Sequence, residues 1–103
     1  MSKDLRKVYF VQMEHVGGID KGKVILYALS TCGWCEKTIR LLKEIGVDFR
    51  YVYVDLLENE EMDRVMKEME KYNPKGSFPT LVINESRSIV GFREQEIRQA
   101  FTK

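Results

Sequence analysis

The sequence has few of the residues that build cross-links and metal centres, and it has no membrane span. Its 103 residues include two cysteines and one histidine, whereas a structural zinc site needs four ligands, usually from two cysteine pairs. No apolar stretch approaches the roughly 20 residues of a membrane helix. The polar start MSKDLRK does not have the apolar core of a signal peptide. We therefore expect a cytoplasmic protein without a metal site and without a membrane partner.

An excess of charge of one sign is also lacking. The chain has 17 lysines and arginines against 16 aspartates and glutamates, so it has no basic surplus with which to hold a phosphate backbone. Low-complexity tracts and linkers rich in glycine or proline are absent from the sequence as well. This length leaves room for one hydrophobic core. We expect a monomeric protein that does not bind nucleic acid.

Five segments have the β-branched and aromatic content of strands, and three show the apolar period of a helix. The predicted strands are residues 7–13, 23–28, 49–54, 80–84 and 86–90. The predicted helices are residues 33–45, 60–72 and 94–101. A strand–helix–strand unit requires parallel strands, whereas two strands joined by a short turn pair antiparallel. The order predicts an α/β fold with a mixed four-stranded sheet flanked by three helices, plus an extra N-terminal edge strand beside residues 49–54.

Two local details accompany this prediction. Gly17, Gly18 and Gly22 indicate a turn-rich connection after the first strand, and His15 is interpreted as a turn residue beside them. Asn59 stands just before the second helix and is predicted to be its N-cap.

The two cysteines form the most specific pattern in the chain. Cys32 and Cys35 lie in STCGWCEK, where a hydrophobic run ends and a helical pattern begins. In a reducing compartment, Cys-x-x-Cys spacing favours catalysis or metal binding over a structural disulfide, although inert core cysteines stay open as an alternative. Backbone N–H groups and the helix dipole favour a thiolate at a helix N-terminus. We predict Cys32 as the nucleophile and Cys35 as the resolving thiol.

The segments VILYALSTCGWC and SFPT, with the following hairpin containing IVGF, resemble the glutaredoxin branch of the thioredoxin fold. The resemblance covers residues 23–103, leaves residues 1–22 as an N-terminal extension, and implies a thiol-disulfide oxidoreductase. In that family a proline preceded by a cis peptide bond faces the cysteine pair, and Pro79 stands at the matching position. Phe78 and Thr80 flank this proline, and the backbone of Phe78 would pair with a bound peptide or glutathione.

Three departures from the glutaredoxin pattern concern the electron donor. CGWC replaces Cys-Pro-Tyr-Cys, no lysine stands just before the first cysteine, and VGFREQE replaces a Gly-Gly-x-Asp-like turn. The set of residues that binds glutathione in the family is therefore incomplete in this sequence. We expect no bound cofactor, and glutathione would act only as a reductant. Gly91, Phe92 and Arg93 resemble instead the Gly-Phe-Arg segment of NrdH-type redoxins, which imply a thioredoxin-reductase-type donor. Similar small proteins of archaea and anaerobic bacteria add a ferredoxin-linked reductase as a candidate.

Side chains around the cysteine loop are candidates for docking a protein partner, as is the Gly91 turn. Trp34, Phe78 and Phe92 flank loops rather than buried helix faces, which favours an apolar rim around Cys32 over core packing. Lys75 lies in NPKGSFPT and is the nearest cation in sequence to the SFPT segment. It is a candidate to bind the carboxylate of glutathione or an acidic patch on a partner, with an ordinary surface lysine as the alternative.

A second function is compatible with the resemblance. Some glutaredoxins without the active-site proline carry an iron–sulfur cluster between two copies, and CGWC lacks that proline. Cys32 would then be a cluster ligand, together with external thiols, usually glutathione. Because the glutathione-binding set is incomplete, the sequence favours the oxidoreductase, which reduces protein disulfides and is restored by a reductase or by glutathione.

Overall fold

A five-stranded mixed sheet forms the centre of the computed structural model, which describes residues 13–102. The strands are Glu14–Val16 (β1), Val24–Ala28 (β2), Phe49–Tyr53 (β3), Thr80–Ile83 (β4) and Arg87–Val90 (β5). Their spatial order is β1-β3-β2-β4-β5, with β2 parallel to β3 and every other neighbouring pair antiparallel. This arrangement confirms the predicted mixed sheet with a terminal hairpin.

Three helices cover both faces of this sheet. They are Gly33–Ile45 (α1), Asn59–Glu70 (α2) and Glu94–Phe101 (α3), and a short 3-10 helix spans Val54–Leu56. Buried residues of α1 and α3 share one core cluster, whereas those of α2 belong to a second cluster. None of the helices within residues 13–102 is long and apolar enough to cross a membrane.

The central strand β2 separates the two cores. All five of its residues are buried, and they alternate, with Leu26 in the cluster under α1 and Tyr27 in the cluster under α2. Side chains on a strand point to opposite faces in turn. A strand covered on both faces is therefore hydrophobic throughout, which explains the continuous apolar run in this part of the sequence.

Helix α1, which follows the cysteine loop, has well-defined ends. Cys32 is its N-cap, and Gly46 ends it in a left-handed conformation with φ of 87°. The Gly46 amide donates a hydrogen bond to the Leu42 carbonyl at 3.0 Å, as expected for a glycine that closes a helix. The predicted cap of α2 is wrong by one residue. Glu58 is its N-cap and makes no side-chain capping bond, so Asn59 is already the first helical residue.

An N-terminal edge strand is present beside β3, as predicted. The predicted segment 7–13 lies almost entirely outside the described residues; the described strand is β1, in which Glu14 pairs with Tyr51. The interpretation of His15 as a turn residue is wrong, because His15 lies within β1 and pairs with Arg50. Its Nε2 is 2.9 Å from Asp48 Oδ1. Pairing with β3 keeps the chain in a strand as far as Val16, immediately before Gly17.

Candidate active site

The two cysteines lie at the junction between β2 and α1. The Cys32 backbone is extended, and its Sγ accepts a hydrogen bond from the Cys35 N–H at 3.1 Å. The Cys32 carbonyl accepts a second bond from the Glu36 N–H at 3.1 Å. Cys32 thus takes the position that serine or aspartate usually holds at a helix start, where first-turn amides are free to donate. These amides can stabilise negative charge on its sulfur.

The two thiols differ in exposure and chemistry. Both are free; Cys32 is half-buried, whereas Cys35 is fully buried. Burial raises the pKa of the Cys35 thiol to about 12, and the neighbouring Cys32 and Glu36 act in the same direction. A hydrogen bond with the Leu29 backbone acts in the opposite direction. Cys35 therefore stays a thiol at neutral pH, while Cys32 is the sulfur that is accessible from solvent.

An aspartate missed by the sequence interpretation holds the loop before Cys32. Asp55, in the 3-10 helix after β3, accepts hydrogen bonds from the Ser30 N–H at 2.9 Å and the Ser30 hydroxyl at 2.6 Å. These bonds lower the pKa of the Asp55 carboxyl. The signal was present in the topology, because the carboxyl ends of the parallel strands β2 and β3 meet at one edge of the sheet.

A tyrosine from β3 draws one acidic side chain of α1 towards the core. The Tyr53 hydroxyl donates a hydrogen bond to Glu36 Oε2 at 2.9 Å. Burial, reinforced by this bond and by the charge of Glu36, raises the pKa of Tyr53 to about 12. Glu36 is therefore held by Tyr53 at the edge of the core that contains Cys35.

The segment around Pro79 lies at the same edge of the sheet. The peptide bond between Phe78 and Pro79 is cis. Thr80, the first residue of β4, pairs with Tyr27 near the end of β2, so the antiparallel register brings this segment towards the cysteine loop. The Gly91 amide donates to the Pro79 carbonyl at 2.9 Å. Gly91 has φ of 86°, a conformation that favours glycine.

A buried polar network fixes the turn that precedes Pro79. The Asn73 side-chain amide donates to the Ser77 carbonyl and hydroxyl, both at 3.1 Å, and to Thr80 Oγ1 at 2.9 Å. The Thr80 hydroxyl in turn donates to the Ser77 carbonyl at 2.7 Å. Asn73 and Thr80 are both buried. Asn73 was missed because an asparagine before a proline resembles an ordinary turn residue in sequence.

Replacing Asn73 with alanine is expected to lower the free energy of unfolding by about 1–3 kcal/mol, because buried polar atoms lose their partner. Urea denaturation would measure the change. The matched control is Asn59→Ala, which removes the same side chain from an exposed position and should cost less than about 0.5 kcal/mol. Equal losses in the two variants would contradict a structural role for Asn73.

Two of the three aromatic residues predicted as a rim come together. Trp34 is 58% exposed and stacks on Phe92, with ring centroids 5.8 Å apart and an angle of 26° between the planes. The Lys37 ammonium lies 4.8 Å from the centroid of the Trp34 ring. Phe78 is half-buried and packs against both core clusters. Lys75 is exposed in the turn between α2 and β4.

The described residues do not gather a set of metal ligands within one chain. Among residues 13–102, no three histidine, cysteine, aspartate or glutamate side chains are grouped so that they could hold a metal ion. The chemistry that the site offers on its own residues is that of two neighbouring thiols.

Comparison with known proteins gives a consistent result. A glutaredoxin family model matches residues 24–87, which include both cysteines. An uncharacterised glutaredoxin-like 8.6 kDa protein in the rubredoxin operon of Clostridium pasteurianum is 35% identical over 80 residues, covering 76% of this chain and 96% of that protein. The structure of methanoredoxin from Methanosarcina acetivorans is 52% identical, with a TM-score of 0.81 over 84% of this chain and 90% of the other. The glutaredoxin from Methanosarcina mazei Go1 is 52% identical, with a TM-score of 0.83 over 89% of each chain.

Proposed function

Because the chain belongs to the glutaredoxin family, whose members are thiol-disulfide oxidoreductases of the thioredoxin fold, we propose that it reduces protein disulfides by dithiol exchange through Cys32 and Cys35. The observation that carries this proposal is the asymmetry of the pair. One sulfur is accessible and accepts an amide hydrogen bond at a helix N-terminus, and the other is a fully buried thiol. Such a pair suits an attacking and a resolving role.

The exchange proceeds in two steps. The Cys32 thiolate attacks one sulfur of the substrate disulfide, which forms a mixed disulfide and releases the other substrate sulfur as a thiolate. Cys35 then loses its proton and attacks Cys32 Sγ, which closes the Cys32–Cys35 disulfide and releases the second substrate thiol. The substrate gains two electrons and two protons in total, and an external reductant must return the same number to the protein.

We propose that this reductant is a thioredoxin-reductase-type or ferredoxin-linked enzyme, with glutathione as the alternative, and that the protein acts as a cytoplasmic monomer. The residues before Cys32 support this choice. Leu29, Ser30 and Thr31 include no lysine that could hold the glutathione carboxylate. The charged group that contacts this loop is instead the Asp55 carboxylate, which accepts both Ser30 hydrogen bonds.

The reduction potential of the Cys32–Cys35 couple tests the choice of donor. The protein would be equilibrated in a series of glutathione buffers, and its free thiols would be counted by alkylation and mass spectrometry. We expect a midpoint near about −270 mV or lower, where glutathione reduces the pair poorly. A midpoint of roughly −200 to −230 mV, the glutaredoxin range, would support glutathione as the donor instead.

The proposed activity itself needs a direct assay. Reduced protein, freed of reductant, would be mixed with an equal amount of a disulfide-containing peptide, and thiols would be trapped by alkylation at successive times. The proposal expects peptide thiols to appear as Cys32 and Cys35 become oxidised together. A peptide that stays oxidised while the protein stays reduced would overturn it, and protein alkylated beforehand is the control.

A further inference from the structure

The exposed aromatic pair beside the cysteines is a preorganised surface. We call Trp34, Phe92 and Lys37 the Trp34 platform. Trp34 follows Cys32 within the first turn of α1, and it is more than half exposed although it stacks on Phe92. Single exposed apolar side chains are ordinary, but a stacked pair next to a reactive thiol forms a continuous apolar surface. Partner contacts often concentrate on such aromatic groups.

Uncompensated positive charge continues from this platform along α1. Lys37, Arg40 and Lys43 recur every three residues and are all exposed, so they follow one side of the helix. Arg93, also exposed, adjoins Phe92 and uses its Nε to donate to the Val90 carbonyl. None of these four cations forms an ion pair with another residue of the described range 13–102.

The acidic residues of α1 are occupied elsewhere. Glu36 accepts the hydrogen bond from Tyr53, and Glu44 pairs with Arg98 of α3 at 3.0 Å. Neither carboxylate forms an ion pair with the cations of the exposed side of α1. Among residues 13–102, that side therefore presents cationic groups without an ion-pair partner.

Helix α2, on the face of the sheet opposite α1, carries charge of the opposite sign to the exposed cations of α1. Although the whole chain carries a formal charge of only +1, α2 on the opposite face contains more acidic than basic residues. Its acidic residues are Glu60, Glu61, Asp63, Glu68 and Glu70, and its basic residues are Arg64 and Lys67. Repulsion between like charges therefore disfavours the approach of an acidic segment to α2.

From this arrangement we infer that the Trp34 platform and the basic side of α1 dock an acidic protein segment that carries the disulfide to be reduced. The inference rests on the proposed function and names its substrate class. An apolar side chain of the substrate would contact the Trp34–Phe92 stack. Carboxylates of the same segment would pair with Lys37 and Arg40. Docking there holds the substrate disulfide beside Cys32.

Three synthetic peptides test the inference. Each contains the same intramolecular disulfide and one aromatic residue, flanked by glutamates, glutamines or lysines. We expect kcat/KM to be about tenfold higher for the acidic than for the basic peptide at low ionic strength, and the difference to shrink as salt is added, since steering by exposed charges is screened. Equal kcat/KM for the three peptides at low salt would overturn the inference.

Matched variants locate the effect. Lys37→Gln is expected to lower kcat/KM about threefold more for the acidic peptide than for the neutral peptide, since one exposed charge pair contributes modestly. The control is Lys67→Gln on α2, which removes an exposed charge from the opposite face and should leave the preference intact. An equal loss in both variants would overturn the inference, because net charge and not docking would then set the preference.

The apolar part of the surface is tested separately. Trp34→Ala is expected to lower kcat/KM for all three peptides by roughly fivefold or more, mainly through a higher KM. An unchanged kcat/KM would overturn the role of the platform. Failure of the proposed function looks different, because none of the peptides would then be reduced by the unaltered protein. Self-association at low salt that Lys37→Gln abolishes would also overturn the inference, by assigning this side of α1 to a second copy.

Discussion

Replacing Cys32 with serine is expected to abolish disulfide reduction, whereas replacing Cys35 with serine is expected to trap a mixed disulfide with the substrate. The first change removes the accessible sulfur that accepts a hydrogen bond from the Cys35 amide. The second change leaves that sulfur in place and removes the buried thiol that resolves the intermediate. Mass spectrometry under non-reducing conditions would detect the covalent adduct, and thiol release would measure the rate.

These two variants form a matched pair, because each exchanges one sulfur for an oxygen. The Cys35→Ser adduct should disappear on addition of a small dithiol, and the peptide should be linked through Cys32. Full activity in Cys32→Ser, or an adduct linked through position 35 in that variant, would reverse the assignment of the roles.

Raising the pH is expected to destabilise the reduced protein more steeply than the oxidised protein. Burial raises the pKa of the Cys35 thiol from 9.0 to about 12 in the folded state, so the folded protein keeps a proton that the unfolded chain loses. The resulting stability is fully present below about pH 9 and is lost as the pH rises towards about 12. This contribution is no more than about 4 kcal/mol. The oxidised protein has no thiol at Cys35, so it lacks this contribution to stability.

Urea denaturation of both redox forms at about pH 7, 9 and 10.5 would measure this difference. Burial is the largest cause that raises the pKa of Tyr53 to about 12, and this part acts in both forms and cancels in the comparison. The smaller part due to the charge of Cys35 belongs to the reduced form alone. The Cys35→Ser variant is the control, and it should follow the oxidised protein above pH 9. Parallel losses of stability in the two redox forms would contradict the assigned pKa of Cys35.

The order of helices and strands was predictable because it depends on local periodicity. β2 is a continuous apolar run, and α1 shows a helical period between the cysteine loop and Gly46. The boundary errors have local causes as well. The cap of α2 was misplaced because Asn59 makes no capping bond, and His15 was misread because its strand is set by pairing with β3.

Contacts between distant segments were not predictable in the same way. The bonds that Ser30 donates to Asp55 and the network around Asn73 join residues whose types are common in turns. Only the folded chain shows that they are held together. The stacking of Trp34 on Phe92 likewise depends on where the fold places the turn after β5 relative to the first turn of α1. The closeness of Cys32 and Cys35 was predictable because their spacing is itself a local pattern. The division of the chain at residue 22 stays a prediction.

The capping of α1 by Cys32 links the redox state of the pair to the backbone. In the reduced protein the Cys35 amide donates to the Cys32 sulfur. When that sulfur enters a disulfide it can no longer carry negative charge, and it becomes a weaker acceptor. The first turn of α1 then holds a donor without a strong partner. The Cys35 amide proton should therefore exchange faster with solvent after oxidation, so that a single backbone signal reports the electron content of the molecule.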